Sequence, residues 1–183
     1  MGESRRADAR RNRQKILGAA GELFASHGPE VHMDQIAARA GLGMGSLYRH
    51  FPNKQALLTA IVRERFSGMC ELARSADLIQ DPRAAFEAVL TGYLEAADQD
   101  AGFQLALLGS GPVEWESIQA EKAEFARIVS AIIRRAVDAG SVRSDLTWDD
   151  FPMMTCGIMS TMYFQPGSAD WRRHLALLLE GLD

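Results

Sequence analysis

The spacing of apolar residues is the feature that most restricts how this chain can fold. Ile16, Leu17, Ala20, Leu23 and Phe24 lie on one face of a 3.6-residue repeat, and similar stripes recur along the 183 residues. No segment shows the alternation of apolar and polar residues that is typical of a half-buried strand. The sequence therefore predicts an all-α protein.

Turn and capping residues divide these stripes into about nine helices. We predict helices at residues 8–26, 33–40, 44–50, 54 to beyond 73, 82–98, 100–109, 114–138, 148–165 and 168–182. Asn53 is a candidate N-cap for the helix that starts at residue 54, and Gly140 ends the helix predicted at 114–138. Thr147 with Asp150 forms a plausible capping pair for the helix at 148–165. Residues 141–147 are interpreted as a linker.

The stretch GLGMGSLYRHFPNK, from Gly41 to Lys54, allows two interpretations. Its alternating glycines are typical of a loop around a nucleotide phosphate, whereas its polar second half is typical of a surface that grips a longer polyanion. The glycine spacing matches neither GxGxxG nor GK[ST], and no strand precedes it, so we reject the nucleotide loop. Two short helices around a tight turn, packed on a preceding amphipathic helix, predict a helix-turn-helix whose second helix, 44–50, reads the major groove.

Charge is unevenly distributed along the chain. Residues 1–60 contain nine Lys or Arg and five Asp or Glu, a net charge of +4, whereas the remaining residues carry a net charge of −8. This asymmetry favours a cationic module that faces a polyanion and an acidic module with another role. We therefore predict a DNA-binding domain at 1–55 and a second helical domain at 56–183.

The run IAARAGLGMGSLYRHFPNKQALL, residues 36–58, resembles the signature of the TetR family of bacterial transcriptional regulators. The alanines, glycines, Leu-Tyr pair, His-Phe pair and lysine all fall at the family's offsets. The resemblance is close over about the first 60 residues and extends further only in helical layout and length. It implies an N-terminal three-helix DNA-binding domain and a C-terminal helical domain that binds an inducer and forms a homodimer.

The predicted DNA-binding residues lie in or beside the second and third helices. They are Met33, Asp34, Gly43, Met44, Gly45, Ser46, Tyr48, Arg49, His50 and Lys54. Leu47 and Phe51, four residues apart, are expected to pack on helix one and leave the polar residues to the DNA.

Roles for individual DNA-binding residues follow partly from chemistry and partly from the resemblance. The resemblance implies phosphate contacts for Tyr48, His50 and Lys54, and base contacts for Met44, Ser46 and Arg49. Arg49 is suited to guanine, and Gly45 allows close approach of the backbone.

The sequence departs from the family pattern at two helix starts. Gly43 replaces the usual hydroxyl cap, and His32 with Met33 stands where Ser or Thr is usual, with Gln35 available for a partial capping box. The arginines at positions 5, 6, 10, 11 and 13 leave two interpretations open: a solvated tail, or an arm that binds phosphates or the minor groove.

The C-terminal domain supplies candidate residues for a ligand pocket and for a dimer interface. The pocket candidates, which also suit an ordinary core, are Phe66, Phe86, Tyr93, Phe103, Leu107, Trp115, Phe125, Met154 and Ile158. They favour a hydrophobic or aromatic ligand, with Tyr93 as the hydrogen-bonding group. The last two helices carry more apolar residues than one chain is expected to hide, and the interface candidates are Ile158, Met162, Trp171, Leu175, Leu178, Leu179 and Leu182.

Together these features predict a ligand-responsive dimeric regulator, a repressor released from a near-palindromic operator. The alternatives are an activator of the same family, and a helical interaction protein or enzyme with a vestigial helix-turn-helix. We expect no enzymatic activity and no cofactor, because no pair of carboxylates or Ser/His/Asp set suggests catalysis. We expect no metal, because His27, Glu30 and His32 fall in a turn without a fourth ligand. Cys70 and Cys156 are expected to be buried free thiols. No apolar run is long enough for a membrane span, so a cytoplasmic location is expected.

Overall fold

The structure, a computed structural model, describes residues 2–99, 115–164 and 170–182, and in these ranges it is helical with no strand. Its α-helices are α1 (Gly2–His27), α2 (Met33–Arg39), α3 (Met44–His50), α4 (Lys54–Asp77), α5 (Pro82–Gln99), α6 (Gln119–Asp138), α7 (Asp150–Phe164) and α8 (Trp171–Glu180). Short 3₁₀ turns cover Gly28–Glu30 and Trp115–Ile118. The predicted all-α class is confirmed, and the predicted helix at 100–109 lies outside the described residues.

Three helix ends have the capping residues that the sequence predicted. Asn53 Oδ1 accepts a hydrogen bond from the Ala56 amide at 2.8 Å and so caps α4. Asp150 Oδ2 accepts bonds from both the amide and the hydroxyl of Thr147, at 2.8 and 2.9 Å. Gly140 follows α6 with a φ of 63°, the left-handed conformation that ends many helices.

Two predicted helices differ from the observed ones. α1 begins at Gly2 rather than at residue 8, so its first turns carry the arginine-rich segment in helical form. The segment predicted as one helix at 114–138 consists of the turn Trp115–Ile118 followed by α6. Arg5, Arg6 and Ala7 are good helix formers and no proline interrupts them, which allows α1 to begin earlier than predicted.

The described chain divides into two compact units, and the division falls inside α4 between Glu64 and Arg65. The first unit contains α1 to α3, the first part of α4 and residues 115–118. The second contains the rest of α4 with α5 to α8. The predicted division of function at 55/56 stays a prediction.

The second unit is built around α5, which packs against α6 and α7, while α7 packs against α8. Phe86, Val89 and Leu90 of α5 are fully buried in its core. The predicted linker at 141–147 is part of this core, because Val142 and Leu146 are buried. Such burial removes apolar surface from water and fixes the connection between α6 and α7.

The two cysteines have different environments. Cys70 is buried, and burial is the main cause that raises the pKa of its thiol. Cys156 is exposed, so the prediction of two buried thiols is wrong for this residue. On α7 the buried positions that the structure describes are Phe151, Thr155, Ile158 and Met162, which leaves Cys156 on another face. Within the described residues, no helix combines the length and apolar character needed to cross a membrane.

Candidate nucleic-acid interface

The helix-turn-helix is held by an apolar core shared among four helices. The buried residues include Ile16, Leu17, Ala20 and Phe24 of α1, Ile36 and Ala37 of α2, Leu47 and Phe51 at α3, and Leu57, Leu58 and Ile61 of α4. As the sequence predicted, Leu47 and Phe51 are both buried, at 0% and 2% exposure. The opposite side of α3 therefore faces solvent.

The turn between α2 and α3 depends on one glycine. Gly41 has a φ of 67°, and its amide bonds the carbonyl of Ala38 at 3.1 Å. The next amide, of Leu42, bonds the carbonyl of Ala37 at 3.0 Å, which completes a Schellman motif. A side chain at position 41 would be strained, because only glycine adopts this conformation without cost.

Gly43 has a different role from Gly41. Its φ is −73° and its backbone is extended, so it is the N-cap of α3 and needs no glycine for conformational reasons. Its carbonyl accepts bonds from the amides of Ser46 and Leu47, at 2.9 and 3.2 Å. Neither Gly43 nor Gly45 would bring a Cβ within 4 Å of another group, so packing within the chain does not explain either glycine.

The solvent-facing side of α3 combines an aromatic, an apolar and a cationic side chain. Tyr48 is 46% exposed and Met44 is 37% exposed, which is unusual for side chains of this size. Arg49 is exposed as well, and its Nε donates to the Gly45 carbonyl at 2.9 Å. That bond uses one of the five donors of the guanidinium and leaves its Nη atoms for another partner.

The remaining predicted contacts lie at the edges of this surface. Ser46, His50 and Lys54 are half-buried, and Lys54 Nζ lies 5.4 Å from the centre of the Phe24 ring. Met33 is half-buried at the start of α2.

Asp34 is exposed in the first turn of α2, where its charge interacts favourably with the helix dipole. A carboxylate repels phosphate, so the interaction with the helix dipole accounts for an acidic residue at position 34 without a DNA contact. Gln35 Oε1 accepts a bond from the His32 amide at 2.8 Å and thus supplies the expected half of a capping box.

Contacts from α1 fix the positions of α2 and α3. Arg39 of α2 bonds Glu22 of α1, with its Nε 2.8 Å from the carboxylate. The guanidinium carbon of Arg13 lies 4.6 Å from the centre of the Phe51 ring, a cation–π contact directly after α3. These contacts orient α3 before any DNA is bound, although exposed ion pairs add little stability.

The second unit contains a cavity of about 270 Å³ among aromatic side chains. Its lining residues are Phe66, Tyr93, Lys122, Phe125, Trp148, Phe151, Pro152, Thr155 and Cys156. The rings contact one another: Tyr93 stacks on Phe125 with centroids 5.8 Å apart, and Trp148 stacks on Phe151 at 5.6 Å. Burial raises the pKa of Tyr93, so its phenol stays protonated and can donate a hydrogen bond.

Three of the predicted pocket residues, Phe66, Tyr93 and Phe125, meet at this cavity. Phe86 and Ile158 are instead fully buried core residues, and Met154 lines a separate depression with Leu146. Phe103 and Leu107 and the side chain of Trp115 lie outside what the structure describes.

Sequence reasoning missed Trp148 and Phe151 as lining residues. Both fall within the segment predicted as the helix 148–165, and helical spacing alone does not distinguish a cavity wall from a core. The clustering of two large aromatic residues within four positions was the signal that pointed to them.

Most predicted dimer-interface residues belong to the core of a single chain. Those buried are Ile158, Met162, Trp171, Leu175 and Leu182, and Trp171 Nε1 also donates to Asp98 at 3.0 Å. The argument that one chain cannot hide these apolar residues is therefore wrong for these five. Leu178 and Leu179 are half-buried against the same core. Among the residues that the structure describes, the exposed large apolar side chains of these helices are Met153 of α7 and Leu177 of α8, at 66% and 51% exposure.

No group of three His, Cys, Asp or Glu side chains that suits a metal ion occurs in the described ranges. His27, one of the candidates weighed from sequence, instead has its Nδ1 2.8 Å from the Ser26 hydroxyl.

Comparison with known proteins agrees with this geometry over both parts of the chain. Residues 16–61 match the model of bacterial regulatory proteins of the tetR family, and residues 81–183 match the model of the SbtR-like transcriptional regulator C-terminal domain. The HTH-type transcriptional regulator SrpR of Pseudomonas putida is 30% identical over 154 residues, which cover 80% of this chain and 70% of that protein.

Solved structures with the same fold include two informative relatives. A TetR transcription regulatory protein from Mycobacterium vanbaalenii is 31% identical with a TM-score of 0.71, covering 97% of this chain and 98% of that one. A gamma-butyrolactone receptor, described as ArpA-like, is 25% identical with a TM-score of 0.67, covering 96% of this chain and 89% of that one.

Proposed function

Because the chain belongs to the TetR family of bacterial regulatory proteins, whose members are DNA-binding transcriptional regulators, we propose that it is a ligand-responsive repressor. In this proposal a dimer holds a near-palindromic operator, with one half-site for each α3. A small hydrophobic or aromatic molecule binds in the second unit and releases the DNA.

The observation that carries the DNA-binding part is the exposed side of α3. Met44, Tyr48 and Arg49 project from a helix whose other side is locked into the core by Leu47. Exposure of Met44 and Tyr48 does not stabilise the fold of the chain, since it is burial of large apolar groups that lowers the free energy of the folded state. We assign phosphate contacts to Tyr48, His50 and Lys54, and base contacts to Met44, Ser46 and Arg49.

The aromatic cavity supports the ligand-binding part. A volume of about 270 Å³ suits a small molecule near the lower end of the range for ligand pockets. Its walls are aromatic rings, so a planar or hydrophobic ligand gains from stacking and burial. Among the described residues none hydrogen-bonds Tyr93, which leaves the phenol to orient the ligand. The name of the similar gamma-butyrolactone receptor identifies that protein as a small-molecule receptor, which favours the same role for this cavity.

Release of DNA requires that the ligand bind the DNA-free conformation more tightly than the DNA-bound one. Coupling of this kind amounts to about 5–150-fold in operator affinity in typical systems. We assign the coupling to α4, because this single helix contains residues of both units.

The DNA-binding part is tested by titrating labelled DNA from the intergenic regions beside the gene and measuring fluorescence anisotropy. We expect a salt-sensitive complex with one preferred sequence and a smaller affinity for scrambled DNA. Equal affinity for all sequences would support the alternative of a vestigial helix-turn-helix. Transcription in vitro from the bound promoter then separates a repressor from an activator.

The ligand-binding part is tested through the fluorescence of Trp148, which lies in the cavity wall. We expect a panel of small aromatic compounds to include ligands that quench this fluorescence and weaken operator binding. A Tyr93→Phe variant keeps the ring and removes only the hydroxyl, so it should weaken ligands with a hydrogen-bond acceptor. Ligands without an acceptor serve as the matched control, because they should bind both proteins equally.

A further inference from the structure

The face of α1 that is apolar in its C-terminal half is cationic in its N-terminal half. Leu17 and Phe24 are buried on this face, at 7% and 0% exposure. Continuing the same stripe towards the N-terminus at helical spacing gives Arg13, Arg10 and Arg6. On this face of α1, the buried apolar side chains are therefore followed, towards the N-terminus, by a row of guanidinium groups.

These arginines differ in whether an acidic residue neutralises them. In the described part of the chain, neither Arg6 nor Arg10 forms an ion pair, and both are exposed. Arg11, on a different face of α1, is paired with Asp8. Residues 2–15 contain six Lys or Arg and two Asp or Glu, so the segment is strongly cationic although the whole chain carries a charge of −4.

Contact with the end of α3 places one member of this row beside the candidate interface. The guanidinium of Arg13 covers the ring of Phe51, which directly follows His50. Arg10 and Arg6 lie about one and two helical turns further along the same face.

We propose that Arg6 and Arg10 bind backbone phosphates of duplex DNA that flanks the half-site contacted by α3. The proposal rests on the DNA-binding function of the chain and adds a second, sequence-independent contact to it. Phosphate is the group that a row of unpaired guanidinium ions fits best, because it accepts two parallel hydrogen bonds from each.

The helical form of this segment decides between the two interpretations of an N-terminal arm. An α-helix with its side chains is about 10–12 Å wide, whereas the minor groove of B-DNA is about 6 Å wide. Because α1 extends to Gly2 as a helix, its backbone cannot enter the minor groove as an extended arm does. The arginines then reach phosphates at the groove edge, which adds affinity without base preference.

The test measures the salt dependence of binding for the full-length protein and its variants. Two duplexes are used: one with the preferred sequence and long flanks, and one non-specific duplex of the same length. Removing a phosphate contact lowers the slope of log K against log salt by about 0.9, so Arg6→Ala with Arg10→Ala should lower it by about 1.8. The order of preference among operator variants should not change.

Arg11→Ala is the matched control for Arg10→Ala, because it removes the same charge from the neighbouring position. It should leave the slope close to that of the parent, since Asp8 already neutralises Arg11. Arg10→Lys keeps the charge and should retain most of the parent's slope. Alanine favours a helix at positions 6, 10 and 11, so we expect α1 to persist in these variants, and circular dichroism checks this.

Three outcomes overturn the proposal while leaving the role of α3 intact. They are an unchanged slope in the Arg6→Ala and Arg10→Ala double variant, an equal loss in Arg11→Ala, and a change in base preference. Failure of the DNA-binding function itself has a different signature, because the parent then binds neither duplex in a salt-dependent way.

Discussion

In the proposed DNA interface, the side chains of α3 contribute two different chemistries. Tyr48 offers a hydroxyl on a rigid ring, which suits a phosphate oxygen. Arg49 rests its Nε on the Gly45 carbonyl at 2.9 Å, and this contact holds the guanidinium plane against its own helix. A side chain held in one orientation loses less entropy on binding than a free one. Arg49 is therefore the better candidate for reading a base.

We expect Arg49→Ala to lower discrimination at one base pair of the operator by about 1–3 kcal/mol, because a bidentate contact to the base is lost. Tyr48→Phe should instead weaken binding to all sequences equally. Both are measured by anisotropy titrations on a set of operators with single base changes. If Arg49→Ala discriminates as well as the parent at every position, Arg49 does not read a base.

A second residue-scale prediction concerns Glu124 of α6. Its carboxylate accepts hydrogen bonds from Arg127 at 2.9 Å and from Arg74 at 3.0 Å, and these bonds lower its pKa from 4.5 to about 2. Because the folded-state pKa is depressed, the stabilisation is complete above about pH 4.5 and is lost as the pH falls through about 2.

The pH dependence is measured as the difference in urea midpoint between the parent and Glu124→Gln. We expect the parent to have the higher midpoint at neutral pH and the difference to vanish near pH 2. About 1 M salt should reduce the difference, since the site is open to solvent. A difference that persists unchanged at the lowest pH contradicts this assignment.

Among the helices, α4 has a special position because the division between the two compact units falls within it. It also contains Gly68, an exposed glycine in the helix interior. A Cβ at Gly68 would meet nothing within 4 Å, whereas a Cβ at Gly92 of α5 would lie 2.7 Å from Leu72 Cδ1. The two glycines thus share a conformation but not an environment.

We expect Gly68→Ala to stabilise the protein by about 0.5–1 kcal/mol, because glycine loses more backbone entropy in a helix than alanine. For a chain of this size the midpoint of thermal unfolding should rise by roughly 2–4 °C per kcal/mol. Gly92→Ala is the comparison, and its gain should be cancelled or reversed by the contact with Leu72. Equal effects of the two substitutions, measured by calorimetry, would show that packing at position 92 relaxes freely.

At the scale of the whole molecule, the question is which apolar surface the proposed dimer would cover. Met153 of α7 is 66% exposed and Leu177 of α8 is 51% exposed, and these two helices pack against each other. Leu78 is more exposed still, at 80%, but lies in the turn after α4. We propose that Met153 and Leu177 belong to the dimer interface, beside Leu178 and Leu179.

We therefore expect Met153→Glu and Leu177→Glu each to shift the protein from a dimer towards a monomer of 20.1 kDa, because a charge would be buried against apolar groups. Leu78→Glu is the control and should leave the mass unchanged. Light scattering with size-exclusion chromatography measures all three. A parent that is already monomeric, or a dimer that survives both substitutions, excludes this interface.

The sequence by itself determined most of the helices of this protein and the side of α3 that faces solvent. Helical periodicity, Asn53 and Gly140 are local signals, so the helices they define are recognisable without the fold. The positions of Leu47 and Phe51, four apart on a short helix, were enough to predict which side of α3 is buried.

Only the tertiary structure decided which apolar residues are core, cavity wall or free surface. Ile158 and Trp171 look like interface residues in sequence but are buried within one chain, while Trp148 looks like an ordinary helix residue and lines the cavity. Periodicity gives the buried face of a helix, yet the same face can meet its own core, a ligand or a second chain. That choice depends on which helices pack together, and contacts between residues far apart in sequence determine it.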